Sequence, residues 1–133
     1  MAFQNPYEKK ISEFSNILSD EKNFKTMRGR WMEHFTSRGH QHAKRLILEI
    51  GCSNSYFLQE CATVSSHDCF VGLDWKYKVL YKGAKRISEH HVNNVSLLRG
   101  SAEKMQEAFE HQELDEVWMF FSDPWPKKAQ RKH

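Results

Sequence analysis

The chain alternates between short, nearly unbroken apolar runs and longer stretches in which apolar residues recur every three or four positions. Leu46-Ile47-Leu48-Glu49-Ile50 is the first such run, and Gly51 closes it. A strand with one wet face alternates apolar and polar residues. A continuous β-prone run instead marks a strand covered on both faces, as in a parallel sheet. Residues 69–73, closed by Asp74, residues 95–98, and residues 117–121, closed by Asp123-Pro124-Trp125-Pro126, have the same character. Between them lie helical patterns. Residues 54–63 bring Phe57, Leu58, Cys61 and Ala62 to one side. Over residues 76–89, Tyr77, Leu80, Ala84 and Ile87 share a face, and over 102–110 Ala102, Met105, Ala108 and Phe109 do. The order βαβαβαβ predicts an α/β fold of about four parallel strands joined by right-handed helical crossovers.

Residues 1–45 read differently. They are polar and basic, with Ile11, Phe14, Ile17 and Leu18 spaced for a short amphipathic helix and Trp31, Met32 and Phe35 for another helical turn or two. The pattern thus predicts a basic helical segment over 1–45 and an α/β domain over 46–133.

Composition narrows the picture modestly. A length of 133 residues suits one domain. No apolar run approaches the roughly 18 residues of a membrane span, and the N-terminal residues lack the apolar core of a signal peptide, so the expected location is the cytoplasm. Cys52, Cys61 and Cys69 lack C-x-x-C spacing and are expected to be free thiols. His40, His42, His90 and His91 lie in polar stretches without matching ligands, so no metal is expected. The net charge of +3 is small, but basic residues gather over 22–45 and again in the last seven positions. Those clusters fit either one nucleic-acid-binding face or solvated surface.

In an open parallel sheet the ligand lies beyond the carboxyl ends of the strands, where this chain puts Glu49-Ile50-Gly51, Asp74, Gly100-Ser101 and Asp123. Gly51 permits close backbone approach to a ligand. Asp74 offers two acceptor oxygens for the hydroxyls of a ribose, or a cap for the helix that follows. Glu49 is either a ligand-facing acid or a buried acid paired with a base. Ser101 and Asp123 have plain alternatives as helix cap and turn residue. Neither G-x-G-x-x-G after the first strand nor a phosphate-binding G-x-x-x-x-G-K-[ST] occurs, which argues against dinucleotide and P-loop chemistry.

Phe120-Phe121-Ser122-Asp123-Pro124-Trp125-Pro126-Lys127-Lys128 resembles the signature of the bacterial tRNA (guanine-N7-)-methyltransferases. Leu48-Glu49-Ile50-Gly51, Val71-Gly72-Leu73-Asp74, Asn94-Val95 and Arg28-Gly29-Arg30-Trp31 are similar to that family at corresponding spacing, over roughly residues 24–133. The resemblance implies a Rossmann-like fold binding S-adenosylmethionine, of which this chain carries the N-terminal part only. It implies transfer of a methyl group to N7 of guanine 46 in tRNA, with tRNA as partner. Glu49 and Gly51 would line the methionine side of the cofactor, Asp74 the ribose, and Ser101 the adenine. Asp123 would lie between cofactor and guanine as the catalytic carboxylate, and Lys127 would contact substrate. N7 carries a free lone pair, so no general base is needed. In-line placement and a carboxylate near the developing charge suffice. Trp125 would stack on a base or on the tRNA, and Lys128, Arg131 and Lys132 would neutralise phosphates.

The sequence departs from the family where Ser53 and Ser55 replace glycines, which predicts non-glycine residues at positive φ. Ser101 stands where the family has Asp. The chain stops within the family's basic segment, so residues 117–121 are expected to form an exposed apolar edge open to self-association. The alternative function is a non-catalytic, truncated remnant that binds tRNA or a partner.

Overall fold

The computed structural model describes residues 4–120, which form one five-stranded parallel sheet with helices on both faces. In chain order the elements are α1 (Tyr7–Lys10), β1 (Leu18–Asp20), α2 (Phe24–Met27), α3 (Trp31–Ser37), β2 (Arg45–Ile50), α4 (Tyr56–Val64), β3 (Asp68–Asp74), α5 (Tyr77–Glu89), β4 (Val95–Arg99), α6 (Met105–Ala108) and β5 (Glu116–Met119). The strand order is β1-β4-β3-β2-β5.

The pleat explains how four apolar runs make this sheet. Successive side chains point to opposite faces, and each face has a core to fill. Ile47, Phe70, Val95 and Leu97 face α4 and α5, against Leu58, Leu80, Ala84 and Ile87. Leu46, Leu48, Val71, Leu73 and Leu98 face α2, α3 and α6, against Phe24, Trp31, Phe35 and Ala108. Trp31 anchors the second core. It is buried, stacks on Phe109 at 5.3 Å, and its indole N–H donates to the Ala108 carbonyl at 2.8 Å. Its one polar atom is therefore satisfied, as a buried indole requires.

The N-terminal segment departs from the sequence pattern. The helix expected through Ile11 and Leu18 ends as a 3-10 turn at Phe14, and Leu18–Asp20 instead forms the edge strand β1. β1 lies parallel to β4 with Leu18 opposite Leu97, and the Leu97 N–H donates to the Ile17 carbonyl at 2.7 Å. Backbone groups on an open flank of β4 need partners, and satisfying them outweighs a weak local helical preference. The expected helix over 102–110 is likewise a 3-10 turn, Ala102–Lys104, followed by the short α6.

Two arginines of the basic stretch over 22–45 are used structurally. Arg38 donates to the carbonyls of Val92, at 3.1 Å, and Val95, and to the Ser96 hydroxyl at 3.0 Å. Burial lowers its pKa to about 10, so it stays charged at neutral pH. It ties α3 to the start of β4. Arg45 joins the amino ends of three strands through Asp68, at 2.8 Å, and Glu116.

The opposite flank of the sheet is open among the described residues. Val117, Met119 and Phe120 on and after β5 are each about half exposed. No helix of the described residues is long and apolar enough to cross a membrane. No group of three or more His, Cys, Asp and Glu among them is arranged to hold a metal. The three cysteines are free.

Candidate functional site

β2, β3 and β4 succeed one another in one direction across the sheet, while β5 lies on the other side of β2. The direction of winding therefore reverses between β2 and β5, and the carboxyl ends of strands at such a reversal are where α/β folds bind ligands. The loop after β2 occupies that position.

This loop is tightly folded. Gly51 sits at φ +80, and its N–H and that of Cys52 both donate to the Leu73 carbonyl, at 2.7 and 3.1 Å. No atom lies within 4 Å of where a Gly51 Cβ would project. The glycine is therefore required by backbone conformation, and open space lies beside it. Ser53 and Ser55 follow at φ 53 and φ 66, as expected from their replacement of glycines. Ser55 is compensated by burial and by a hydroxyl bond to the Cys52 sulfur at 3.4 Å. Ser53 has no such support from its side chain among the described residues. Left-handed backbone at a residue with a Cβ costs roughly 1–2 kcal/mol. Ser53→Gly is therefore expected to raise stability by about 1 kcal/mol, read as a rise of the thermal midpoint by a few degrees. An unchanged or lower midpoint would show that the strain is absent.

Asp74 braces the loop. Its Oδ2 accepts from the Ser53 N–H at 2.9 Å and its Oδ1 from the Lys76 N–H at 3.1 Å. It braces the turn before α5 rather than capping the helix, whose N-cap residue is Lys76. A ligand role remains compatible with its place, since each carboxylate oxygen retains a second lone pair.

Glu49 lies near the same end of β2, within reach of the Asp74 charge. It is 6 % exposed, and its Oε1 is buried without a hydrogen-bond partner among the described residues. Burial first, and the charge of Asp74 second, push its pKa up to about 7. Among the described residues no base pairs with Glu49, so an internal ion pair finds no partner there. A buried acceptor without a donor is costly, and a ligand donor would relieve it.

Ser101 ends the row, after β4. Its N–H donates to Glu21 Oε2 at 3.0 Å, and its side chain makes no capping bond to the turn it precedes. Around it stand groups that the sequence pattern did not single out. Trp75 is exposed beside Asp74. Arg99 stacks on Tyr77 with 4.1 Å to the ring centre and reaches Asp20 Oδ1 at 3.3 Å. Glu49, Gly51, Asp74 and Ser101 thus lie on successive strand ends as expected. Asp123 and Lys127, with Trp125, Lys128, Arg131 and Lys132, lie outside the described residues.

The arrangement suits an elongated ligand with a cationic donor at one end, near Glu49, and vicinal hydroxyls in the middle, near Asp74. Comparisons with known proteins bear on the family rather than on the individual residues. A family model described as "Putative methyltransferase" matches residues 43–133. The tRNA (guanine-N(7)-)-methyltransferase of Cytophaga hutchinsonii is 30% identical over 121 residues, covering 90% of this chain and 52% of that protein. The protein of the same name from Geobacillus kaustophilus is 34% identical over 107 residues, covering 80% and 47%. The chain thus spans about half the length of the curated relatives it matches. Among solved structures, an antibiotic-related methyltransferase superposes with a TM-score of 0.58 at 18% identity, over 74% of this chain and 50% of that one. PKMT2 from Rickettsia typhi, in complex with AdoHcy, superposes with a TM-score of 0.53 at 25% identity, over 66% and 17%.

Proposed function

Because this chain belongs to the methyltransferase family whose model spans residues 43–133, we propose that it binds S-adenosylmethionine and serves, in the cytoplasm, to methylate N7 of guanine 46 in tRNA. The observation that carries the cofactor reading is the buried Oε1 of Glu49, unpartnered among the described residues, with open space at Gly51. An amino-acid ammonium group supplies the donor that Glu49 lacks, and the glycine leaves room for it. Asp74, one strand along, takes the ribose hydroxyls. The names of the relatives support tRNA as substrate and N7 as target, and AdoHcy in the Rickettsia typhi structure supports the cofactor class.

S-adenosylmethionine supplies an electrophilic methyl group on a sulfonium. The protein's residues have the task of orientation and charge. Guanine N7 attacks with its own lone pair, so no side chain removes a proton. Asp123 stabilises the positive charge that develops on the purine. Trp125 holds the base by stacking, and Lys127, Lys128, Arg131 and Lys132 position the RNA through its phosphates.

The test supplies the purified chain with tritiated S-adenosylmethionine and unmodified tRNA, then digests the RNA to nucleosides. Label in 7-methylguanosine that falls in Asp123→Ala would support this assignment, and no label would favour the alternative of a non-catalytic remnant that binds tRNA or a partner. Label in another nucleoside would overturn the N7 assignment. Equal label from both proteins would overturn the role of Asp123.

A further inference from the structure

The site already described leaves one acid unexplained. Glu21 belongs to the N-terminal segment, 80 residues from Ser101, yet it touches the end of β4. We propose that Glu21 is the acceptor that reads the exocyclic amino group of adenine. The proposal rests on the reading of the site as one for S-adenosylmethionine.

The order of the strand ends sets where the base lies. With the amino-acid portion at the end of β2 and the ribose on Asp74 at the end of β3, the base extends over the next strand end, Gly100-Ser101 after β4. β1 pairs with β4 so that Asp20 stands opposite Arg99. The residue after each strand therefore meets the other, and Glu21 comes to rest against Gly100. A Cβ on Gly100 would lie 2.7 Å from Glu21 Cγ and 2.8 Å from Phe24 Cζ, so only glycine lets the acid settle there.

The two oxygens of Glu21 are then unequal. Oε2 accepts the Ser101 N–H at 3.0 Å and is thereby oriented. Oε1 has Arg99 Nη1 at 3.8 Å, beyond hydrogen-bond distance, and the side chain is 34% exposed. Arg99 is itself held by Asp20 at 3.3 Å and the Trp75 carbonyl at 3.1 Å. It supplies a nearby positive charge without occupying Oε1. An oriented carboxylate at this end, on a side chain that is one-third exposed, suits an amino donor. Hypoxanthine, with a carbonyl in place of the amino group, would turn an acceptor toward an acceptor.

Calorimetric titration with S-adenosylhomocysteine and S-inosylhomocysteine, on the wild type and on Glu21→Gln, tests this. The wild type is expected to prefer the adenosyl ligand by about tenfold or more, the scale of one charge-assisted hydrogen bond. Glu21→Gln keeps an acceptor for the Ser101 N–H and offers an amide donor to the base, so the preference should shrink about tenfold, with a similar thermal midpoint. A purely structural Glu21 would lower both affinities equally and leave the ratio intact, which would overturn the proposal. A wild-type ratio near one would overturn it without any variant. Failure of the wild type to bind either ligand would overturn the cofactor reading and the proposal together.

Discussion

Asp74→Ala is expected to weaken S-adenosylhomocysteine binding by roughly ten- to a hundredfold, the effect of losing a charge-assisted hydrogen bond in a partly buried site. Two losses combine in this variant. The ribose loses its acceptors, and the Ser53 and Lys76 N–H groups lose the carboxylate that holds the loop and the start of α5. A ligand lacking the ribose 2′-hydroxyl separates the two. The wild type should discriminate against it, and Asp74→Ala should not. Unchanged affinity for the natural ribose in Asp74→Ala would remove Asp74 from the ligand site.

Glu49 gives the second large effect, read as a pH dependence. Its pKa rises from an ordinary 4.5 to about 7 in the folded protein. Between those values the unfolded chain has released the proton and the folded protein still holds it. Stability therefore falls as pH rises through this window. The full displacement corresponds to roughly 3 kcal/mol. Urea unfolding at pH 5, 6 and 7 should show a decline in the wild type that is smaller by about 2 kcal/mol in Glu49→Gln, the part of the displacement that falls within this range. Equal pH slopes in the two proteins would show that Glu49 is not desolvated. Ligand binding should act in the opposite sense. A cationic group against Glu49 favours the carboxylate, so affinity for S-adenosylhomocysteine should tighten as pH approaches 7, with release of a proton.

These effects depend on residues of differing legibility. Gly51 and Asp74 are readable because each closes a run that parallel-sheet burial keeps apolar. Glu49 is readable as the one acid inside such a run, and Ser101 because it follows shortly after another. Glu21 has no such marker. It sits in a polar stretch, and its contact with Ser101 exists only because β1 docks on β4. A strand of three residues is too short to show a period, and its partner is distant in sequence, so Leu18–Asp20 was not readable as a strand.

The sequence by itself determined four strands, their alternation with helical segments and the residues at the carboxyl ends of the first three. Side-chain burial is imposed residue by residue along each of these elements, and the chain records it directly. Only the tertiary structure decided which charges are free to act. Arg38 and Arg45 read as part of a basic surface, but backbone carbonyls and strand-end carboxylates consume them. Glu49 reads in sequence as either a ligand-facing acid or a buried, paired one, and no cation reaches its buried Oε1 among the described residues. Charge pairing acts through space over a few ångströms and requires no regular spacing in sequence. Composition therefore counts the charges, while the packing of segments decides which of them meet.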